Sequence, residues 1–381
     1  MGSWILEAIK GSSFRTKLSA LRKILFEKSK VPDIVKCALC PNMCRYACPV
    51  AIVDGRETTS PSGKSRIGYL LSRNHLDLLP ENIEPLYYCL SCDGCYVHCF
   101  FNFRVSELTR GLRNRALESG NVPEQIKTLY NKIVDNRNPF GKIEKKFNQY
   151  PQGGEVLLLQ DCITRSFYPE LINKAVNLLE RLGFKPFVIP EEMCCGYLLY
   201  EIGDDKTFTK IAIENSQIIN SYKPKAIVSL CPECVYTYRV IYPRFKVNVK
   251  PPVKHITEIL EERLNVVNFS EKHETVTIHE PPKLAIGLKK EDILVKILSK
   301  IPGLELKLPM RHGENTFYAG ILNPLYWIDP ALLENINRER LTELLEESDI
   351  IVTASPSAKK GLELVGGKAY DIVEFLTEII K

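Results

Sequence analysis

Beyond about residue 150, hydrophobic positions along the chain follow two alternating periods. Continuous apolar runs at 155–160, 187–189 and 226–230 predict buried strands, because strands covered on both faces are apolar throughout. The segments between these runs have apolar residues three or four positions apart, which predicts helices. The first helical set ends at Gly183 (Leu171, Ile172, Ala175, Val176, Leu179 and Leu182). Strands that alternate with helices predict a parallel sheet, because parallel neighbours need crossover connections.

The same alternation recurs about 120 residues later, with strand-like runs at 275–279, 304–308 and 350–353. A helical repeat of Ile293, Ile297 and Leu298 separates the first two of these runs. We therefore predict two tandem α/β half-domains with parallel sheets. They are called the first half (151–265) and the second half (266–381) below.

The residues before the first half have a different character. In segment 1–30, Leu18, Leu21 and Leu25 share one helical face among basic residues (Arg15, Lys17, Arg22, Lys23, Lys28 and Lys30). A basic amphipathic helix can contact an anionic membrane surface or pack on a neighbouring domain or subunit, and the pattern leaves both open. Residues 116–150 are expected to connect the N-terminal region to the first half.

Eight of the thirteen cysteines form two clusters within 31–115. They are Cys37-x2-Cys40-x3-Cys44-x3-Cys48-Pro49 and Cys89-x2-Cys92-x2-Cys95-x3-Cys99. Four closely spaced thiolates, in one case followed by proline, are typical of ferredoxin segments that bind four-iron clusters. This spacing predicts an α-helical ferredoxin-like module with two [4Fe–4S] clusters. Zinc is the alternative, but zinc modules usually separate their Cys-x2-Cys pairs by a dozen or more residues.

The remaining five cysteines form a second constellation, Cys162, Cys194-Cys195-Gly196 and Cys231-Pro232-Glu233-Cys234. Each group lies just beyond the C-terminal end of a predicted strand, the edge at which open α/β sheets bind ligands. We therefore expect these five thiols to meet at one metal site.

The second half repeats this spacing without cysteines. Pro282 takes the place of Cys162, Tyr318-Ala319 that of the cysteine pair, and Ser355-x2-Ala358 that of Cys231-x2-Cys234. Gly320 and Pro356 remain where the first half has Gly196 and Pro232. Because these replacements offer no thiolate, we expect the second half to hold no metal.

Composition limits the partners and the cellular compartment that we expect for the protein. The chain has 381 residues, 45% hydrophobic and 25% charged, with a net charge of +5, which does not by itself indicate a nucleic-acid partner. Clustered cysteines in odd number favour a reducing compartment over a disulfide framework. No apolar run approaches the roughly 20 residues of a membrane span, and no secretory signal is evident. We expect a cytoplasmic protein, either free or peripheral on the cytoplasmic face of a membrane.

At this point the sequence resembles a known family. The five-cysteine series resembles the cysteine-rich CCG domain, here placed behind a two-cluster ferredoxin module. The arrangement is similar to the fused iron–sulfur subunit of heterodisulfide reductase, and to the iron–sulfur subunits of anaerobic glycerol-3-phosphate dehydrogenase and glycolate oxidase. Residues 60–66 and 138–141 are part of the likeness, and His279-Glu280-Pro281-Pro282 resembles the family's His-Asp-Pro-Cys without its ligand.

The resemblance implies crossed ligation in the ferredoxin module. Cys37, Cys40, Cys44 and Cys99 would hold one [4Fe–4S] cluster, and Cys89, Cys92, Cys95 and Cys48 the other. It also implies a further iron–sulfur cluster, of the non-cubane four-iron type, on Cys162, Cys194, Cys195, Cys231 and Cys234. Zinc is the alternative at those five residues. The family enzyme uses two such clusters on a disulfide, whereas only one complete copy is present here.

Three functions remain open. The first is an electron-transfer subunit between a flavoprotein dehydrogenase and a quinone or disulfide acceptor, with a membrane-anchor subunit as a further candidate partner. No dinucleotide or phosphate-binding glycine loop is present, so this function requires a flavoprotein subunit. The second is the catalytic subunit of a heterodisulfide or thiol–disulfide reductase, and the third is a zinc-bound CCG docking module. The catalytic residues, the substrate and the oligomeric state are left undetermined.

Overall fold

A computed structural model of the protein describes residues 33–143, 153–190 and 193–380. The basic helix predicted for 1–30 lies outside these residues. The N-terminal region is helical, with a 3-10 turn at Met43–Ala47. Its helices are α1 (Asp33–Ala38), α2 (Pro49–Asp54), α3 (Pro61–Ser72), α4 (Pro80–Tyr87), α5 (Gly94–Val97), α6 (Val105–Glu118) and α7 (Glu124–Asn136).

Proline at the first position starts α2, α3 and α4, as its fixed φ allows. The hydroxyl of Ser60 accepts a hydrogen bond from the Gly63 amide at the start of α3. A side chain at Gly63 would meet the Glu57 carbonyl at 1.9 Å, so only glycine fits. Helix α7 lies inside the segment predicted as a connector, and α6 continues through residue 115.

The first half contains four parallel strands in the order β2-β1-β3-β4. These are β1 (Val156–Leu159), β2 (Pro186–Phe187), β3 (Ala226–Ser229) and β4 (Val253–His255). The helices are α8 (Cys162–Phe167), α9 (Pro169–Arg181), α10 (Tyr197–Ile202), α11 (Asp205–Tyr222), α12 (Pro232–Tyr236), α13 (Tyr242–Arg244) and α14 (Ile256–Arg263), with a π-helical turn at Thr237–Ile241. All four residues of β1 are buried, as the apolar run predicts.

The second half repeats this topology, with parallel strands in the order β6-β5-β7-β8. The strands are β5 (Thr275–His279), β6 (Glu305–Lys307), β7 (Ile351–Thr353) and β8 (Ala369–Asp371). The helices are α15 (Ile293–Leu298), α16 (Leu325–Ile328), α17 (Pro330–Leu345), α18 (Pro356–Leu364) and α19 (Ile372–Thr377). A π-helical turn at Lys283–Gly287 and a 3-10 turn at Gly313–Asn315 complete it. A helical N-terminal region followed by two parallel α/β parts confirms the coarse fold prediction.

The sequence analysis missed the fourth strand of each half, β4 and β8. Each is short and includes a charged residue, Lys254 in β4 and Asp371 in β8, so no continuous apolar run marks it. The structure has a capping box after each strand, but only Asp371-x-x-Glu374 has the residue types typical of that motif. His255 with Glu258 and Asp371 with Glu374 make reciprocal hydrogen bonds at the starts of α14 and α19.

The two halves contact one another through equivalent elements. Helix α9 packs on α19, and α14 packs on α15. At the cysteine-bearing edge, α8 packs on α18, and α12 packs on the turn Lys283–Gly287. One hydrophobic core runs through both halves and into the N-terminal helices. The carboxyl edges of the two sheets therefore lie close together.

Candidate iron–sulfur sites

Four thiols of the N-terminal region, which we call the outer ferredoxin site, line one cavity of about 380 Å³ (Cys37, Cys40, Cys44 and Cys99). Apolar side chains at its mouth are largely exposed, with Met43 at 76% and Phe100 at 92%. Burial, followed by the charges of neighbouring thiolates, raises the pKa of the Cys44 thiol to about 12. This site lies at the surface of the protein.

The other four thiols form the inner ferredoxin site (Cys48, Cys89, Cys92 and Cys95) and line a separate, smaller cavity. A side chain at Gly94 would stand 2.8 Å from the Ala47 carbonyl, so glycine permits the close approach of the two cysteine segments. Ser91 and Asp93 on either side of Cys92 have positive φ, an uncommon conformation that turns the backbone around the cavity. The structure thus groups the eight thiols in the two crossed sets that the resemblance implied, while ligation stays a prediction.

The five remaining thiols meet at the carboxyl edge of the first sheet, and we call this group the five-cysteine site. Cys162 is the first residue of α8 after β1, and Cys231 precedes α12 after β3. The Sγ atoms of Cys234 and Cys195 are 3.3 Å apart. All five residues are less than 9% exposed. The topology therefore assembles sulfurs that are up to 72 residues apart in the sequence.

Neighbouring polar groups hold the loops of this site. Asn215 on α11 donates to the Cys194 carbonyl at 2.7 Å, and the hydroxyl of Tyr242 donates to the Cys195 carbonyl at 3.2 Å. The thiol of Cys231 contacts the Glu233 carboxyl at 3.3 Å. Sequence reasoning did not find Asn215 or Tyr242, because no spacing rule connects them to the cysteines.

The pKa values of thiols in the five-cysteine site show that this environment disfavours their ionised form. Burial, then the charge of neighbouring thiolates, raises the pKa of Cys194 to about 12 and that of Cys162 well above its usual range. Hydrogen bonding to Cys195 is the main cause of the raised pKa of Cys234. A bound cation reverses this effect by stabilising thiolates. Soft sulfur ligands suit iron–sulfur clusters or zinc, so the donor set fits the group that the sequence implies.

Within the described ranges, no three His, Cys, Asp or Glu side chains gather as the ligands of a single metal ion. A four-iron cluster needs a wider arrangement, because its thiolates bind different irons.

The equivalent edge of the second half is filled by hydrogen bonds between its own groups. The Ser357 hydroxyl accepts from the amides of Ile321 and Leu322 at 3.0 Å. The Asn323 side chain donates to the Tyr318 hydroxyl at 2.6 Å. Of the residues in these bonds, Tyr318 stands at the position that Cys194 has in the first half.

The inner ferredoxin site and the five-cysteine site are joined by a buried polar network. The Ser91 hydroxyl donates to the Glu201 carboxylate at 2.5 Å, and Glu201 lies on α10, which begins directly after Cys195-Gly196. Arg113 binds both the Glu201 carbonyl and the Cys89 carbonyl at 2.8 Å. Lys283 donates to the Ser91 carbonyl at 2.7 Å. Local sequence patterns could not indicate this network, since its members come from distant segments.

Apolar packing closes the same junction. Val50, Leu90, Phe317, Tyr318 and Leu332 belong to one buried cluster against which Cys48 and Cys92 pack. The second half therefore covers the inner ferredoxin site.

Comparison with known proteins agrees with this geometry. Residues 156–239 match the cysteine-rich domain family CCG, and residues 33–103 match the 4Fe-4S dicluster domain family. One subunit of the fumarate reductase (CoM/CoB) of Methanothermobacter marburgensis is 25% identical over 71% of this chain and 56% of its own length. EtfAB:quinone oxidoreductase of Syntrophomonas wolfei is 26% identical over 46% of this chain and 27% of its own length. The chain thus spans about half, or less, of these curated relatives.

A crystal structure of a hypothetical protein from Helicobacter pylori superimposes with a TM-score of 0.57 at 10% identity, covering 98% of this chain and 76% of that one. At that identity the likeness concerns the fold alone.

The two family matches define a protein with iron–sulfur-type domains. More particularly, the chain carries a CCG cysteine-rich domain behind a 4Fe-4S dicluster domain, which confirms the family resemblance that the cysteine motifs carried. No helix in the described parts of the chain is both long and apolar enough to cross a membrane.

Proposed function

We propose that this chain is an electron-relay subunit with two [4Fe–4S] clusters, at the outer and inner ferredoxin sites, and a third iron–sulfur cluster at the five-cysteine site. Electrons would enter from a flavoprotein dehydrogenase and leave to a quinone or a disulfide. When bound, the clusters supply one-electron redox chemistry that the side chains alone lack. Each thiol set corresponds to one cluster, with the crossed assignment in the ferredoxin module.

The single observation that carries this proposal is the buried polar network that joins the inner ferredoxin site to the five-cysteine site. Two residues after Cys195, α10 begins at Tyr197 and rises by roughly 6 Å to Glu201. Glu201 in turn accepts a hydrogen bond from Ser91, which stands between Cys89 and Cys92. A buried path of this length suits electron transfer between the two sites.

The protein's own residues have three tasks in this relay. The helices that follow the strands present the thiols at a common edge, and Asn215 and Tyr242 hold the loop carbonyls. Val50, Leu90 and Tyr318 exclude water from the junction. Low solvent access and hydrogen bonds to sulfur set the reduction potential of such sites. The exposed Met43 and Phe100 leave the outer site open to a donor protein.

The relatives support the choice of acceptors. One is named as part of a fumarate reductase (CoM/CoB) and another as an EtfAB:quinone oxidoreductase, so both names describe redox proteins with separate electron donors or acceptors. A thiol–disulfide reductase that acts through the five-cysteine site alone is the second candidate, because all five thiols are present and close together.

Anaerobic preparation and metal analysis test the proposal. We expect about twelve irons per chain with matching acid-labile sulfide, four for each cluster. After reduction by an artificial donor, wild type should be reoxidised by a quinone. Cys194→Ala should keep the ferredoxin clusters and lose that reoxidation. Zinc without iron or sulfide at the five-cysteine site would contradict the relay and favour the docking module.

A second measurement separates relay from catalysis. Proteins that co-purify under anaerobic conditions should include a flavoprotein, and turnover should depend on it. Turnover of a small disulfide by the isolated chain with an artificial donor would instead favour the reductase.

A further inference from the structure

Lys283 belongs to the second half, but its side chain extends from that half to the ferredoxin module. It follows Pro282, the residue that stands where the first half has Cys162, and it begins the turn Lys283–Gly287. Its ammonium reaches the ferredoxin module, where it donates to the Ser91 carbonyl at 2.7 Å. Only 8% of the residue is exposed. A long cationic side chain thus lies buried where all three parts of the molecule meet.

Two aromatic rings connect this ammonium with the five-cysteine site. Its Nζ is 4.6 Å from the centre of the Tyr236 ring and 5.7 Å from that of Tyr197. Tyr236 ends the helix that contains Cys234, and Tyr197 starts the helix after Cys195-Gly196. Cations over aromatic rings are stabilised electrostatically. Lys283 therefore contacts residues that are neighbours of both the inner ferredoxin site and the five-cysteine site.

The charge of Lys283 is not cancelled by a direct ion pair. Among the described residues no carboxylate lies within ion-pair distance of its Nζ, and its one hydrogen bond goes to a neutral carbonyl. Burial alone lowers the pKa of this lysine, but the more distant Asp93 and Glu201 outweigh it, and the pKa is raised overall. The side chain is therefore charged at neutral pH.

Resting on the relay function above, we propose that Lys283 is a positioning residue that sets the reduction potential of the inner ferredoxin site. A fixed positive charge in a poorly solvated region stabilises an added electron nearby. The step it favours moves one electron from the outer to the inner site, so that the outer site is oxidised and the inner site is reduced. No bond forms or breaks, and Lys283 keeps its protons.

The second half, which has no thiols at its sheet edge, thus supplies a positive charge next to the inner ferredoxin site. Lys64 also lines the inner site, but it belongs to the ferredoxin module itself. Lys283 is supplied by the second half, so correct docking of that half is coupled to the energy of the electron on the inner site.

Another buried lysine of the second half provides a matched control. Lys359 is 7% exposed, but its ammonium pairs with Glu374 at 2.7 Å and with Glu363 at 3.3 Å. Its charge is neutralised locally. Lys359→Met therefore removes a buried lysine from the same half without removing a positive charge from the junction.

The test is a redox titration of the full-length, anaerobically prepared protein, followed by electron paramagnetic resonance. The inner signal is identified as the one that Cys92→Ala removes. Lys283→Met should lower the potential of that signal, with iron content unchanged. Lys283→Arg, which keeps the charge, should restore a potential close to wild type. Lys359→Met should leave it in place.

A variant that removes a negative charge distinguishes an electrostatic effect from a purely structural one. Glu201→Gln removes a buried negative charge beside Ser91 and should raise the inner potential. Unchanged potentials in Lys283→Met, equal downward shifts in Lys283→Met and Lys283→Arg, or a failure of Glu201→Gln to raise the potential would each overturn the inference. An iron-free wild type would instead overturn the relay function itself.

Discussion

The two α/β halves have the same strand order and differ at the edge where the first has its thiols. In the first half, burial and then the charge of neighbouring thiolates raise the pKa of Cys162 and Cys194, so a bound cation would stabilise their thiolates. In the second half, the Ser357 hydroxyl and backbone amides satisfy one another. The scaffold therefore forms its edge loops with or without metal ligands, and the side chains at a few positions decide the chemistry.

Matching asparagines support this conclusion. Asn215 on α11 binds the Cys194 carbonyl, and Asn337 on α17 accepts from the Gly320 amide at 2.9 Å. Both loops are thus tethered by the helix that follows the second strand of their half. The second half has kept its shape, which covers the inner ferredoxin site through Phe317 and Tyr318.

The largest contrast between the halves is expected from Cys231 and its counterpart Ser355. Cys231→Ala should remove one cluster, about four of twelve irons, and leave the ferredoxin signals. Ser355→Ala should keep all iron, because it removes only the hydrogen bond from the Ala358 amide, a helix cap worth about 1 kcal/mol. Iron and sulfide analysis measures both. Iron loss in Ser355→Ala would disprove a metal-free second half.

A second contrast concerns two glycines with nearly the same positive φ, Gly203 at 93° and Gly366 at 92°. A side chain at Gly203 would stand 2.3 Å from the backbone nitrogen of Asn114 on α6, whereas the space at Gly366 is open. Gly366→Ala should cost about 1–2 kcal/mol for the left-handed conformation. Gly203→Ala should cost about 1–3 kcal/mol more, because it also separates the ferredoxin module from the first half.

Urea unfolding under anaerobic conditions measures the loss of stability in the two glycine variants. Equal losses of stability in the two variants would show that the contact between α6 and α10 contributes little.

The asparagine tethers give a third contrast. Asn215→Ala and Asn337→Ala should each lower the free energy of unfolding by about 1–3 kcal/mol, because buried groups lose their partners. Only Asn215→Ala should also speed the loss of iron to a chelator, since it frees the loop of Cys194 and Cys195. Iron release followed by absorbance is the measurement, and the same rate in both variants would argue against a role for Asn215 at the metal site.

The last contrast concerns the equivalent caps His255 and Asp371, whose effect at any single pH step is modest. Burial lowers the pKa of His255 to about 4, so the unfolded state binds more protons between pH 4 and 6.5. His255 then makes stability rise with pH in that window. Burial raises the pKa of Asp371 to about 8, so the folded state binds more protons between pH 3.8 and 8, and stability falls as pH rises.

Asparagine at either position keeps a capping side chain without titrating. Relative to wild type, His255→Asn should reduce the rise of the free energy of unfolding with pH. Asp371→Asn should reduce its fall with pH. Each slope should change by up to about 1.4 kcal/mol per pH unit. Unfolding midpoints across this pH range test the two signs. Slopes that change in the same direction in both variants would contradict the opposite titration of the two caps.

Much of the fold was predictable from local pattern. The runs at 155–160 and 226–230 predicted β1 and β3, because a buried strand must be apolar along its whole length. The strands β4 and β8 escaped detection, since a charged residue in each (Lys254 and Asp371) interrupts the apolar run by which a buried strand is recognised. Asp371-x-x-Glu374 was an available indication of helix α19, whereas histidine at position 255 is not a typical N-cap residue and gave none of helix α14.

The candidate sites divide in the same way. The sequence alone determined which cysteines belong to a ferredoxin module and which to a CCG domain, because ligand spacing is a local property of the chain. Only the tertiary structure decided that the Cys48 segment approaches Gly94, that Glu201 meets Ser91, and that Lys283 crosses from the second half. Such contacts depend on how distant segments pack, and no period or motif along the chain encodes them.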